Sequence, residues 1–273
     1  MQPPHQQANS DATDNDGLVK SVDSMCMEDV EKISDEELFK QPPTEDCPIC
    51  FLRMPKLNPT GSKYQTCCGK MICSGCIHAV AKMGGHPLCS FCRTPNPKTN
   101  EVADTREKKR MGLDDPIAIR NLGVYHREGL FGFSQDYEKA FKLLVRASEL
   151  GFAEASCCVG FAYEKGQGVE VDKKKAQHYW EIAAIGGDEV ARNNLGTHEF
   201  RAGNIERALK HYMLAVGSGQ ATSLDTVKDM YEYGHATKED YTKALRSYQV
   251  YLGEIKSPQR DEAAAFSDEY RYY

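Results

Sequence analysis

The sequence predicts a multidomain chain: a small metal-held module, an all-α superhelical repeat solenoid, and a disordered acidic N-terminal arm. Three observations predict it. Eight of the 11 cysteines fall between Cys47 and Cys92. Beyond residue 113, four Lys/Arg-Ala dipeptides recur at spacings of 36, 32 and 36 residues. Residues 1–46 carry 12 acidic and 3 basic side chains, while the whole 273-residue chain has a net charge of only −6. The modest total hides an acidic arm joined to a mildly basic body.

The arm, residues 1–45, is rich in Asp, Glu, Gln, Asn, Ser and Pro, with Phe39 its one aromatic residue. Such a segment buries too little apolar surface to offset its ordering entropy. Within it, Ser34-Asp35-Glu36-Glu37-Leu38-Phe39 has a helix-capping pattern, with Ser34 as cap and Glu37 three residues on. It reads either as a docking motif or as a frayed turn, and Pro42-Pro43 stops any helix there. Met1 to Gly17 contain no Lys or Arg, so no secretory signal is expected. No stretch approaches the roughly 20 apolar residues of a membrane span. The expected compartment is therefore cytoplasmic or nuclear, where clustered cysteines serve as ligands rather than disulfides.

Residues 46–93 hold the cluster: Cys47-Pro48-Ile49-Cys50, then Cys67-Cys68-Gly69-Lys70-Met71-Ile72-Cys73-Ser74-Gly75-Cys76, then Cys89-Ser90-Phe91-Cys92-Arg93. Thiolates two residues apart in a tight turn both reach one zinc ion, and four close its tetrahedral shell. Eight cysteines thus supply two closed, structural zinc sites. Metal binding is also how so small a unit folds.

The spacing resembles a RING finger of the all-cysteine kind. The resemblance implies a cross-brace: Cys47, Cys50, Cys73 and Cys76 on the first zinc, and Cys67, Cys68, Cys89 and Cys92 on the second. Cys67 and Cys68 are adjacent, which is tight for one ion. Lys70 stands where other RING fingers have a histidine ligand, and an ammonium cannot ligate. His78 or His86 therefore stays open as a substitute for one of the pair; otherwise both read as surface groups.

RING fingers of this kind act as ubiquitin ligases. They bind a ubiquitin-conjugating enzyme charged with ubiquitin and orient its thioester, supplying no nucleophile. The resemblance implies that Ile49, and Ile77 at the start of a short helix, meet that enzyme. It also implies that Arg93 bridges enzyme and ubiquitin, a task suited to a guanidinium. Ser90 departs from the family, which usually has proline there. The alternative is a zinc-binding interaction adaptor without ligase activity.

Residues 94–113 read as a linker, with Pro95 and Pro97 followed by the charged run Arg106-Glu107-Lys108-Lys109-Arg110, itself a solvated helix start or more linker. No aromatic-interleaved basic patch argues for nucleic-acid binding.

Residues 114–256 hold about four repeats. Leu122-Gly123, Val159-Gly160 and Leu195-Gly196 precede three of the Lys/Arg-Ala pairs, and Val227-Lys228 precedes the fourth. Seven residues after each repeat alanine come Ala147, Ala183, Ala215 and Tyr251, on the same helical face. Each copy therefore reads as two antiparallel helices, with glycines at their ends. The second copy is fullest, with Gly166-Gln167-Gly168-Val169, Asp172, Tyr179-Trp180 and Gly187; the third is shorter and the fourth degenerate. The pattern resembles Sel-one-like repeats, a tetratricopeptide-related family, which implies an adaptor surface for a protein substrate or scaffold. Cys157 and Cys158 read as core thiols rather than transfer cysteines. Residues 257–273 are expected to form a tail or capping helix.

Overall fold

The computed structural model describes residues 33–55, 61–83 and 88–272. Cys26 and His86, and most of the acidic arm, lie outside them.

The cysteine-rich module is built around one hairpin and one helix. β1 (Ser62–Gln65) pairs antiparallel with β2 (Lys70–Cys73), with Lys63 opposite Ile72 and Tyr64 opposite Met71. The connecting turn carries Cys67 and Cys68 and ends on Gly69 at φ 68°. α2 (Ser74–Lys82) follows directly. The module's interior is mostly sulfur: Cys47, Cys73, Cys76 and Cys89 are buried together with Met54 and Ile72.

The two flanking C-x-x-C segments adopt the same local turn. Cys47 N–H donates to Leu52 O at 2.9 Å, and Cys89 N–H donates to Thr94 O at 2.8 Å. Phe51 N–H donates back to Cys47 O, and Arg93 N–H to Cys89 O. Each turn is closed by a non-glycine residue at positive φ, Phe51 at 57° and Arg93 at 62°. Each is flanked by a single bridge, Asp46 to Arg53 and Leu88 to Pro95.

The expected linker is a helix. α3 (Asn100–Met111) is capped by Thr99 and packs on α4 (Pro116–Glu128). Charged residues on its exposed face masked this in the sequence, because its apolar contacts are few.

The repeat region is four helix pairs: α4 with α5 (Tyr137–Glu149), α6 (Ala153–Lys165) with α7 (Lys173–Ile185), α8 (Glu189–Arg201) with α9 (Ile205–Gly217), and α10 (Ala221–Glu232) with α11 (Lys238–Ile255). Every Lys/Arg-Ala pair lies on a second helix and every Leu-Gly on a first. The reason is steric. A Cβ on Gly160 would sit 2.5 Å from the Trp180 ring, and one on Gly196 would sit 2.7 Å from the Tyr212 ring. Bare glycine lets the partner's aromatic lie flat against the first helix. The repeat alanines, from Ala140 to Ala244, are buried at 2% exposure or less. The third copy is shorter only in its loop: residues 166–172 of the second pair become residues 202–204 in the third.

The N-terminal end differs from expectation. Residues 33–45 are ordered rather than disordered: α1 (Asp35–Leu38) is capped by Ser34 and rests on α7. Residues 257–272 form α12 (Pro258–Phe266) and a 3-10 turn (Asp268–Tyr270), and α12 packs on α2 of the cysteine-rich module. Among the described residues no helix is long and apolar enough to cross a membrane.

Candidate metal centre

Eight thiols gather into two sets. Cys47, Cys50, Cys73 and Cys76 lie with their sulfurs within 4.8 Å of one another, and so do Cys67, Cys68, Cys89 and Cys92. Membership alternates along the chain, the first and third pairs in one set and the second and fourth in the other. All eight are free thiols.

The geometry fits a four-coordinate ion. A tetrahedron with metal–sulfur bonds of about 2.3 Å places its sulfurs roughly 3.8 Å apart. The observed separations are 3.9 Å for Cys47–Cys76, 3.7 Å for Cys50–Cys73, 3.9 Å for Cys68–Cys89 and 3.4 Å for Cys67–Cys92. These exceed a disulfide bond by well over 1 Å. The adjacent Cys67 and Cys68 both reach the second set because the hairpin turn sends one toward Cys92 and the other toward Cys89. The two sets are therefore able to hold one ion each.

Crowding shifts the acidity of the thiols in both directions. Hydrogen bonding with the Cys73 and Cys76 thiols holds Cys47 far below the usual thiol range. The same contacts push Cys73 and Cys76 up. Burial pushes Cys67 up, and Cys68 up to about 11. The Thr94 hydroxyl pulls Cys92 down to about 6. Four thiolates together need a cation between them. When bound, zinc would close each shell and leave no open position, so its contribution would be structural.

His78 is in neither set. It is buried, with its ring 4.8 Å from Phe266 and 5.9 Å from Tyr270. It is an aromatic packing residue, neither ligand nor surface group. Ile49 and Ile77 are half-buried against the sulfur core, and Arg93 is exposed. Phe51 and Met83, at 77% and 82% exposure, add apolar surface that the sequence did not flag.

Three arginines, Arg53 within the cysteine window and Arg110 and Arg260 outside it, tie it to the helices. Arg260 of α12 is fully buried. Its guanidinium donates to Arg53 O at 2.7 Å, Ile255 O at 2.6 Å and Leu52 O at 3.4 Å, and lies 3.8 Å from Cys50 Sγ. A cation beside a four-thiolate set offsets its excess negative charge. Arg110 of α3 holds the other set's turn, donating to Thr66 O at 3.1 Å and Cys67 O at 2.8 Å. Arg53 pairs with Glu254, donates to Gly217 O at 3.1 Å and lies over the Tyr251 ring. Tyr64 donates to Asp115, the cap of α4, at 2.7 Å. No spacing rule reveals such long-range contacts.

Between the second thiol set and the first repeat lies a cavity of about 670 Å3, lined in part by Tyr64, Ile77, Glu107, Tyr125 and Phe133. Burial raises the Glu107 carboxyl and pushes the Tyr125 hydroxyl up to about 12. Cys157 and Cys158 lie on α6, the first helix of the second pair. Both are pushed up by burial, as suits packing thiols rather than nucleophiles.

Comparison with known proteins gives the class first. The model of the Sel1 repeat matches residues 116–152, 153–188 and 229–246, so the chain carries Sel1 repeats. The third pair, although helical, falls between the matched stretches. The chain is similar to two curated Arabidopsis thaliana proteins. It is 36% identical over 106 residues to the E3 ubiquitin-protein ligase DA2, covering 38% of this chain. It is 30% identical over 98 residues to the ERAD-associated E3 ubiquitin-protein ligase component HRD3B, covering 35% of this chain. The matches span 25% and 15% of those relatives' lengths. Among solved structures, a Sel1 repeat protein from Oxalobacter formigenes aligns with a TM-score of 0.47 and 26% identity, over 60% of this chain and 63% of that one.

Proposed function

We propose that this chain is a RING-type ubiquitin ligase whose Sel1 repeats bind the protein to be modified or its scaffold. The observation that carries the reading is the alternating pair of four-sulfur sets, the arrangement of a RING cross-brace holding two structural zinc ions. The partial similarity to proteins named as ubiquitin ligase or ligase component supports it. Ile49 and Ile77 offer the apolar contact for a charged ubiquitin-conjugating enzyme. Arg93, exposed at the end of the last turn, offers the cation that would bridge enzyme and ubiquitin. The chain supplies no nucleophile. Its contribution is positional: it holds the thioester and a substrate amine on one body, which raises their effective concentration.

A second reading, a zinc-binding adaptor without transfer activity, is favoured by two features. Ser90 replaces the usual proline, and α12 covers one side of α2. Ubiquitin-chain formation by the purified, zinc-loaded chain with a panel of conjugating enzymes separates the two. We expect activity with at least one enzyme, reduced about tenfold or more by Ile49→Ala. No chains with any enzyme, from protein holding two zinc ions, would leave the adaptor.

A further inference from the structure

Residues 34–40 sit on the repeats as a ligand sits on a receptor. Ser34 accepts from Glu37 N–H at 3.2 Å and starts a single helical turn. Leu38 is 2% exposed against the array. Phe39 lies 4.7 Å from the His211 ring, with Arg207 at 5.3 Å and Lys210 at 5.8 Å from its own ring. Asp35 pairs with Arg207 at 2.5 Å. Arg192, fully buried on α8, donates to the backbone carbonyls of Leu38 and Lys40.

Two points set this contact apart from ordinary core packing. A four-residue helix has no stability of its own, so the groove imposes its shape. Arg192 is also an expensive way to fill a core. Its Nε has no partner, nor has either ring nitrogen of His211, and burial pulls the guanidinium down to about 10. A groove built for stability alone does better with apolar side chains of similar volume. One that must recognise a chain needs donors aimed at backbone carbonyls, cations for its acids and pockets for its large side chains.

We propose that the groove of α7, α8 and α9 is a peptide-binding site, occupied here in cis by residues 34–40. Its partner is a protein presenting an acidic helical turn followed by two large apolar residues. This rests on the reading of the repeats as the partner-binding arm. Binding is measured without ubiquitin transfer, so failure of the groove and failure of the ligase reading are told apart.

The test uses the full chain and a fluorescent peptide of residues 32–41. Replacing Leu38 and Phe39 by alanine in the chain should release the cis segment. Peptide should then bind about tenfold or more tighter than to the unaltered chain, because the competing occupant is gone. Adding Arg192→Gln should remove that gain, and a peptide carrying the same two alanines should not bind. Equal binding by released and unaltered chains, or by the alanine peptide, would overturn the proposal. So would loss of helical signal in the released chain, which would make the segment part of the core.

Discussion

The cysteine-rich module and the helical array solve the same problem by opposite means. In the array, each helix meets its neighbours in the chain. Gly160 admits Trp180 within one pair, Gly196 admits Tyr212 within the next, and small buried alanines repeat the device. Stability there is a sum of local interfaces. The module has almost no apolar core. It is closed by thiols drawn from positions 47 to 92, and by arginines at positions 53, 110 and 260 that bind it to distant helices. Damage within the inner pairs of the array should therefore stay local, and damage to the module should spread through the whole module.

The largest effect tests this directly. Cys73→Ser removes one ligand from the first set. Because metal binding energy is folding energy, on the order of 10 kcal/mol for a structural zinc, the whole module should unfold. Metal analysis should fall from two zinc per chain to at most one, while far-ultraviolet dichroism keeps most of the array's helical signal. Retention of two zinc would break the contrast.

Arg260→Met should come next. It leaves the carbonyls of Arg53 and Ile255 without their buried donor, a cost of about 3 kcal/mol. It should also speed zinc loss to a chelator, although residue 260 lies far from any cysteine in sequence. Zinc release at the unaltered rate would show that the tail merely covers the module.

Gly160→Ala is expected to be milder. The new methyl would meet the Trp180 ring at 2.5 Å, and relieving that overlap should cost about 2 kcal/mol in a urea melt. Zinc content and the first helix pair should be unaffected. Loss of zinc would mean that strain in the array reaches the module.

What could be read from the sequence follows the same division. Spacing reports what is repeated or local. The resemblance to a RING finger implied the same two groups of four cysteines that the structure gathers, and the recurring Lys/Arg-Ala pairs, with Leu-Gly or Val-Gly in three copies, implied paired helices. Ser34 advertised its own cap. Contacts between distant segments leave no such trace. Nothing in Arg260, Arg110 or Leu38-Phe39 says what each touches. So the linker emerged as α3, the end of the arm emerged docked, and His78 turned out to pack between aromatic rings instead of facing water. Their signal was compositional at best: a lone Leu-Phe in an acidic stretch, and two Phe/Tyr residues beside an arginine in the tail.

The chain leaves the module through α3 and returns to it through α12, so the stack of helices has both ends fastened to the same small body. An open stack behaves like a spring, free to twist and breathe from either tip. A fastened one is a closed hoop. Slack at its fourth pair, which Arg53 ties to the module, is felt at the metal-holding turns, whereas slack in the inner pairs is absorbed between neighbours.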